Sequence, residues 1–294
     1  MVTGSMTIAA EFLHITQPAV SRLIKDLEKA LGIRLFRREG NRLIPGAEAQ
    51  RLFQEVDRFY QGMEQVERVA HDLKSARIGT LRIASMHTLG LSVLTEGIRR
   101  FSLARPGLEI SLDVRNSLGV LELIGARQAD IGFIQMPGTE YAGVDVYPFT
   151  SVAAMCVLPR GHPLARKKTV RFADLQGEPL ISLSRNSPMR LRLEMALEAA
   201  GVTCRRSVET TLAHVACNLV AGGLGFTVVD PFTAHNNQHN TKIVCRPLVP
   251  AVSIEYSMVL PAHQPRSKVL DDFIRVIKKL LDADFAPENV SRAS

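Results

Sequence analysis

Two amphipathic helical patterns joined by a short polar break constrain the fold of this chain more than any other feature. They occupy residues 5–31 and meet at residues 14–16. The second pattern has a clear start, because the Thr16 hydroxyl can accept a backbone N–H as an N-cap and Pro18 falls in the first turn, where its missing N–H costs nothing. Gly32 provides a C-terminal stop. Two helices joined in this way predict a helix-turn-helix, whose second helix enters the major groove of DNA.

The second helix has one apolar and one polar face. Its apolar residues recur every three or four positions and predict a buried face. They are Val20, Leu23, Ile24, Leu27, Ala30 and Leu31. Gln17, Ser21 and Lys25 lie four positions apart on the opposite face, and Arg22 lies beside them. Such side chains can bind base edges and phosphates. A solvated surface helix would show the same pattern, so the face alone leaves both interpretations open.

The segment after this helix resembles a β-hairpin with a basic tip. Two short apolar stretches at residues 35–36 and 43–44 flank arginines and the turn residues Gly40 and Asn41. A helix-turn-helix followed by such a hairpin predicts a winged head, in which the wing holds the DNA backbone. The candidate DNA-binding residues are Thr16, Gln17, Pro18, Ser21, Arg22, Lys25, Arg37, Arg38 and Arg42.

The same segment carries a long and specific family motif. The sequence T-Q-P-A-V-S-R-L-I-K-D-L-E, followed by L-F-R-R-x-x-x-R-L-I-P, resembles the DNA-binding head of LysR-type transcriptional regulators. The resemblance covers essentially the whole chain. It is closest to members that respond to opines and related arginine-derived compounds, through S-R-L-I-K-D-L-E, R-x-G-N-x-x-I-P and V-V-D-P. It implies a ligand-responsive regulator that binds an interrupted DNA dyad as a dimer, often as a pair of dimers, with RNA polymerase as a further candidate partner.

One departure from the family concerns the start of the chain. The resemblance implies a further short helix upstream, but only four residues precede Ser5. Either the start of the chain is misassigned or the head lacks its first helix. The rival interpretation is a small-molecule sensor that has lost DNA binding through this shortened head, and an oligomeric scaffold is a third.

A heptad pattern follows the head. Apolar residues alternate spacings of four and three, which predicts a helix over residues 47–76 that pairs with a second copy of itself. The seam residues are Leu52, Val56, Phe59, Met63, Val66, Ala70 and Leu73. The alternative is one amphipathic helix packed on its own domain. A homodimer is also what an operator with two half-sites requires.

From residue 80 onward strand and helix patterns alternate, which predicts βαβ units and a mainly parallel sheet. As the resemblance implies, the chain is expected to be an α+β multi-domain protein with a winged helix-turn-helix head (1–46), a linker helix (47–77), a two-lobed α/β domain like periplasmic binding proteins (78–287) and a disordered tail (288–294). Lobe I is expected over 78–149 and 253–287, and lobe II over 150–252. The chain is expected to cross between lobes near 149–151 and 248–253.

Ligands of open α/β sheets bind at the carboxyl ends of strands, next to helix N-termini. This rule and the family resemblance select the same loops. The candidate effector-binding residues are Ser85, Met86, Thr88, Phe133, Gln135, Ser184, Asn186, Ser187, Asp230 and Phe232. Free N–H groups at the helix starts suit a carboxylate, and Asp230 could accept an amine or guanidinium. The inducer is therefore predicted to be an amino-acid- or opine-like carboxylate. The alternative is that the serines are simple N-caps and Asp230 a turn residue.

Composition excludes several other classes. No apolar run approaches the ~20 residues that a membrane span needs. No secretory signal begins the chain. The four cysteines show no metal spacing, which suits a reducing cytoplasm and buried thiols; a redox pair of Cys204 and Cys217, as in peroxide-sensing family members, is the alternative. A DNA-binding regulator is expected to be nucleoid-associated there. The net charge of +7 favours a polyanion partner. No hydrolase, metalloprotease, P-loop or dinucleotide motif occurs, so neither an enzyme nor a cofactor is predicted.

Overall fold

The computed structural model describes residues 5–39, 42–53, 55–56, 59–60, 62–63, 66, 79–136, 138 and 140–284. The chain divides into two compact units, Met1–His71 and Asp72–Ser294. None of the helices in the described ranges has both the length and the apolar character that a membrane crossing requires. The expected tail, the upstream residues 1–4 and the wing tip at residues 40–41 lie outside the described residues.

The first unit contains the predicted helix-turn-helix and hairpin. Its elements are α1 (Met6–Phe12), α2 (Gln17–Leu31), β1 (Phe36–Glu39) and β2 (Arg42–Pro45). A third helix, α3, contains residues 47–53, 55–56, 59–60, 62–63 and 66. The two strands pair antiparallel, with Glu39 opposite Arg42 at the tip end.

The ends of α2 agree with the sequence prediction except for one hydrogen bond. Gly32 ends the helix in the left-handed region, at a φ of 68°. Thr16 has the extended backbone of an N-cap, but its side chain makes no capping hydrogen bond, so the predicted hydroxyl contact is wrong. Pro18 in the first turn reduces the number of N–H groups that need a partner.

The predicted buried face of α2 is mostly exposed. Of its six apolar residues only Val20 is buried, whereas Leu23 is 59% exposed and Leu27 and Leu31 are each 44% exposed. The physical reason is size, because the seven residues of α1 are too few to cover a helix of fifteen residues. The periodicity correctly indicates a helix, but it does not indicate how much of its apolar face this unit covers.

The second unit has two lobes. The elements of lobe I are β3 (Thr80–Met86), α4 (His87–Gly90), α5 (Val93–Leu103), β4 (Glu109–Arg115), α6 (Ser117–Gly125), β5 (Ile131–Ile134), β6 (Val144–Ala153), β13 (Ser253–Pro261) and α10 (Lys268–Asp284). Those of lobe II are β7 (Met155–Pro159), β8 (Val170–Arg171), β9 (Pro179–Leu183), α7 (Pro188–Ala199), β10 (Arg205–Thr210), α8 (Ala213–Ala221), β11 (Thr227–Val229), α9 (Pro231–Asn236) and β12 (Ile243–Val249), with 3-10 helices at Pro163–Arg166 and Phe172–Leu175.

The sheets are mixed rather than mainly parallel, which corrects the sequence prediction. Lobe I has the strand order β4-β3-β5-β13-β6, in which β3 is parallel to β4 and β5 while β13 is antiparallel to β5 and β6. Lobe II has the order β11-β7-β12-β8 and a separate parallel pair, β9 and β10. In lobe I the strand that runs against its neighbours is β13, by which the chain returns, and in lobe II it is β7, by which the chain enters.

The chain crosses between the lobes twice, and the first crossing comes later than the sequence predicts. The strand β6 pairs with β13 as far as Ala153, so the chain leaves lobe I after Ala153 and not at residue 149. The return falls between β12, which ends at Val249, and β13, which begins at Ser253. The two crossings are joined side by side, because the Ala154 N–H donates to the Val252 carbonyl oxygen at 2.9 Å.

Helices cover both faces of the lobe I sheet. On one face Phe101 of α5 packs edge-on against Phe273 of α10, with ring centroids 5.3 Å apart. On the other face Val120 and Ile124 of α6 pack with Val259 of β13. This cover leaves the carboxyl ends of β3 and β5 free to face lobe II.

Candidate effector cavity and nucleic-acid interface

The polar face of α2 borders a groove of about 480 Å³ in the first unit. Its lining residues are Met6, Ser21, Ile24, Lys25, Glu28, Arg34, Phe36, Arg37 and Leu43. The structure thus brings the predicted Ser21, Lys25 and Arg37 together. It adds Arg34, which the sequence interpretation missed because it lies in the connection between helix and wing. Three cations around one groove favour a polyanion.

A carboxylate fixes the wing against α2. Glu28 accepts the backbone N–H groups of Leu35, at 2.7 Å, and Phe36, at 3.0 Å. The residue before the wing is therefore tied directly to the helix whose polar face borders the groove. Charge-assisted bonds of this kind are about twice as strong as neutral ones.

The other predicted DNA-binding residues are placed as follows. Gln17 is half-buried, with its amide nitrogen 4.0 Å from the sulfur of Met6. Arg22 is exposed, and its ion pair with Asp26 at 3.8 Å contributes little in water. Thr16 and Pro18 are exposed at the start of α2. The side chains of Arg38 and Arg42 lie outside the described residues.

A second cavity, of about 90 Å³, lies between the two lobes of the second unit. Lobe I contributes Met86, His87, Thr88, Leu91, Gln135 and Tyr256. Lobe II contributes Leu183, Ser187, Met189, Thr211, Leu212, Ala213, His214, Val229 and Asp230. The cavity is therefore at the carboxyl ends of strands, where the sheet rule predicts a ligand.

Half of the predicted effector residues line this cavity. They are Met86, Thr88, Gln135, Ser187 and Asp230. Ser184 and Asn186 lie on the loop before α7 and are not among the lining residues. The remaining three, Ser85, Phe133 and Phe232, are fully buried in the core.

The three core residues have partners within the protein. The Ser85 hydroxyl donates to the Met86 carbonyl oxygen at 2.9 Å. Phe133 packs against Phe149, with ring centroids 4.8 Å apart, and Phe232 packs against Tyr256 at 5.5 Å. Neighbouring strand residues point to opposite sides, so Met86 faces the cavity while Ser85 does not.

Asp230 is a buried carboxylate in the cavity wall. Its two oxygens accept the backbone N–H of Thr233 at 2.7 Å and the Thr233 hydroxyl at 2.9 Å, which caps α9. Burial raises the pKa of Asp230, and these bonds and the nearby His214 oppose the rise. Burial also raises the pKa of Tyr256, which shares a hydrogen bond with Thr88. Asp230 is therefore a helix cap, where the alternative interpretation expected a turn residue, and it also lines the cavity.

Of the helices that begin at the cavity, α7 and α8 are the two longer ones, with 12 and 9 residues. Ser187 caps α7 by accepting the Arg190 N–H at 3.5 Å, and as an acceptor it keeps its own proton for another partner. The helix α8 begins at Ala213, and Thr211 and Leu212 before it line the cavity. The sequence interpretation missed this second start, although the same strand-then-helix rule applies to β10 and α8. The sequence interpretation used instead the helix after Ser85 as an anion-binding helix start, although that helix has only four residues.

The four cysteines are free thiols in the structure. Burial raises the pKa of Cys217 to about 12 and that of Cys245 to about 11. It also raises the pKa of Cys204, which donates to the Leu175 carbonyl oxygen. Because the thiolate is the reactive form, these shifts favour the interpretation of buried, inert thiols over a redox pair.

A winged helix-turn-helix joined to a two-lobed α/β domain with a cavity between its lobes defines the class of ligand-responsive DNA-binding proteins. Two family models match this chain. The LysR substrate binding domain covers residues 74–282, and the bacterial regulatory helix-turn-helix protein of the lysR family covers residues 1–50. The chain belongs to the LysR family of transcriptional regulators, with a DNA-binding head and an effector-binding domain. The predicted family and fold class are confirmed, and the head's match disfavours a sensor without DNA binding.

Individual relatives extend over nearly the whole chain. It is 41% identical over 283 residues to the regulatory protein NocR of Agrobacterium tumefaciens (strain T37), covering 96% of this chain and 94% of NocR. It is 35% identical over 283 residues to the octopine catabolism/uptake operon regulatory protein OccR of Rhizobium meliloti, covering 96% and 93%. The crystal structure of full-length CbnR complexed with its target DNA shares the fold at a TM-score of 0.71 and 20% identity, covering 94% of each chain.

Proposed function

We propose that this regulator responds to a small metabolite with a carboxylate and a cationic group, held in the cavity between the lobes. The supporting observation is that α7 and α8 both begin at a cavity that also contains the buried carboxylate of Asp230. Helix starts attract anions, and a buried carboxylate attracts a cation. The protein acts on DNA in the cytoplasm and has no catalytic role in this proposal.

The free energies are consistent with micromolar binding. An anion at a helix N-terminus gains about 0.3–1 kcal/mol when exposed and up to ~2 kcal/mol when partly buried. Micromolar affinity needs about 8 kcal/mol, so two helix starts are not sufficient. Burial of apolar surface contributes about 25 cal/mol per Å². Leu91, Leu183 and Met189 offer that surface.

Octopine is the first ligand to test, because the relative OccR is named for octopine catabolism and uptake. Octopine has carboxylates for the helix starts and a guanidinium for Asp230. The cavity of about 90 Å³ is smaller than most ligand pockets. We therefore expect the lobes to separate as such a ligand enters.

Calorimetric titration tests this chemistry. We expect octopine to bind the wild type and agmatine, which has the guanidinium without a carboxylate, to bind at least about tenfold more weakly. Ser187→Ala and Asp230→Asn should each weaken octopine, since each removes one polar contact. Ser184→Ala is the matched control, because Ser184 does not line the cavity. Tight binding of a neutral compound without a carboxylate, unchanged in both cavity variants, would contradict the proposal.

We also propose how the head divides its work on DNA. Gln17 and Ser21 contact bases, whereas Arg22, Lys25 and Arg37, with Arg38 and Arg42, hold phosphates. The structure describes the side chains of Gln17, Ser21, Arg22, Lys25 and Arg37. Their exposed or half-exposed positions on α2 and the wing support this division.

Mobility shifts at several salt concentrations distinguish the two groups. Gln17→Ala should cost about 1–3 kcal/mol on the operator and relax specificity at one base pair. Arg37→Ala should weaken all sequences alike and reduce the salt slope by about one unit. Lys29→Ala removes the same charge from the exposed last turn of α2, away from the groove, and should have little effect. Equal losses on operator and random DNA for Gln17→Ala would refute the assignment.

Dimerisation through α3 is the third part of the proposal. Of the seam residues that the structure describes, Val56, Phe59, Met63 and Val66 are between 41% and 69% exposed. Leu52 is half-buried, and Ala70 and Leu73 lie outside the described residues. An apolar row of this kind on an exposed helix marks an association surface.

A further inference from the structure

Arg190 is a buried arginine outside the cavity wall, although its neighbours Ser187 and Met189 line the cavity. Its side chain is only 4% exposed. One guanidinium nitrogen, Nη1, donates both to the Leu183 carbonyl oxygen at 2.9 Å and to the Glu209 carboxylate at 2.6 Å. Leu183 ends β9, and Glu209 is the second-last residue of β10. A single nitrogen thus joins the ends of two strands.

These strand ends lead directly into the lobe II wall of the cavity. The β9–β10 ladder runs as far as Leu183 opposite Thr210. Beyond the ladder, the segment after β9 continues to Ser187 and α7. The segment after β10 continues to Thr211, Leu212 and α8. The Arg190 contacts lie at the point where the ladder hydrogen bonds stop and the two lining loops begin.

The charges around Arg190 are balanced. Its Nε donates to Glu194 at 2.8 Å, and Arg206 donates to the same Glu194 oxygen at 2.7 Å. Glu194 and Glu209 are themselves partly exposed, so the buried charge of this network is the Arg190 guanidinium, and removing a carboxylate leaves it short of a counter-charge. The planar guanidinium can bind a carbonyl and two carboxylates at once, which a lysine ammonium cannot do in the same geometry.

We propose that Arg190 is a positioning residue of the effector site. It fixes the spacing of the two lobe II loops, residues 184–187 and 211–213, so that the starts of α7 and α8 act on one ligand. The inference rests on the proposed function, because it treats the cavity as the effector site.

Hydrogen exchange of the full-length, ligand-free protein tests the positioning role without requiring a ligand. In Arg190→Lys and in Glu209→Gln, the amides of residues 184–187 and 211–213 should exchange about tenfold faster, which corresponds to one lost charge-assisted bond. Exchange in β7 and β12 should not change. Glu209→Gln keeps Arg190 and its bond to Leu183, so it remains informative if Arg190→Lys folds poorly. Arg206→Met is the matched control, since it removes a cation from the same network without touching either loop.

The outcomes separate this proposal from the ligand proposal. Faster exchange confined to the two loops supports the positioning role, and octopine affinity should then fall about tenfold in Arg190→Lys. Unchanged loops, or faster exchange spread evenly over lobe II, would overturn it and leave Arg190 with a general stabilising role. Failure of the wild type to bind octopine would refute the choice of ligand, while the exchange result would still decide the role of Arg190.

Discussion

Replacing Phe59 and Met63 together with glutamate is expected to convert the protein from a dimer to a monomer in sedimentation equilibrium. The two side chains are 66% and 48% exposed on α3 and belong to the heptad row. Each substitution removes an apolar group worth about 1.5–3 kcal/mol when buried and adds a charge that the seam would have to desolvate. Binding to a two-half-site operator should be lost with the dimer, because each head then binds alone.

The control also adds two glutamates to α3 but places them off the seam, with a charge change one unit larger because Arg51 is cationic. Gln50→Glu with Arg51→Glu places two glutamates on the exposed part of the same helix, outside the heptad row. This variant should remain dimeric. A dimer that persists in the Phe59 and Met63 variant would show that the association surface lies elsewhere on the chain.

Gly225→Ala is expected to destabilise lobe II by more than about 3 kcal/mol, since it combines backbone strain with overpacking. Gly225 has a φ of 139°, and a Cβ there would lie 2.0 Å from the Pro179 carbonyl oxygen. That oxygen accepts the Phe226 N–H, and Phe226 in turn accepts the Ile181 N–H. These bonds link the β9–β10 pair to the larger sheet, so the clash would separate the two parts of the lobe.

Urea unfolding monitored by circular dichroism measures this loss. Gly161→Ala is the control, because a Cβ at Gly161 meets no atom within 4 Å and its φ is not in the left-handed region. We expect its free energy of unfolding to stay within about 0.5 kcal/mol of the wild type. An equally small change in Gly225→Ala would mean that the backbone around Pro179 can move aside.

Local chemistry made the helices and the wing predictable. Proline at the start of α2, glycine at its end and apolar spacing of three and four are properties of neighbouring residues. The strand β6 has no clear alternating pattern in the sequence, because Pro148 interrupts it. In the structure β6 is an edge strand, and its pairing with β13 shifts register beside Pro148, which is where a strand tolerates proline. Pro247 likewise interrupts the pattern of β12, although β12 lies between β7 and β8 in its sheet.

The effector cavity was only half predictable for a different reason. The strand-end rule selects loops, but it does not say which of two neighbouring residues faces outward, as Ser85 and Met86 show. Tyr256 lines the cavity from β13, far along the chain from the loops that the rule selects. Its place depends on the return of the chain to lobe I, which is a property of the topology and not of local sequence.

The paired crossings between the lobes determine which relative motions of the two lobes cost little energy. Two extended segments bonded side by side through Ala154 and Val252 resist sliding, because one would have to shift along the other and break that bond. Bending both together costs only small changes in backbone torsion. Lobe II should therefore rotate relative to lobe I about a single hinge axis. Points far from that axis travel further than the ligand contacts do, so a small change in the cavity becomes a larger displacement at the rim of the domain.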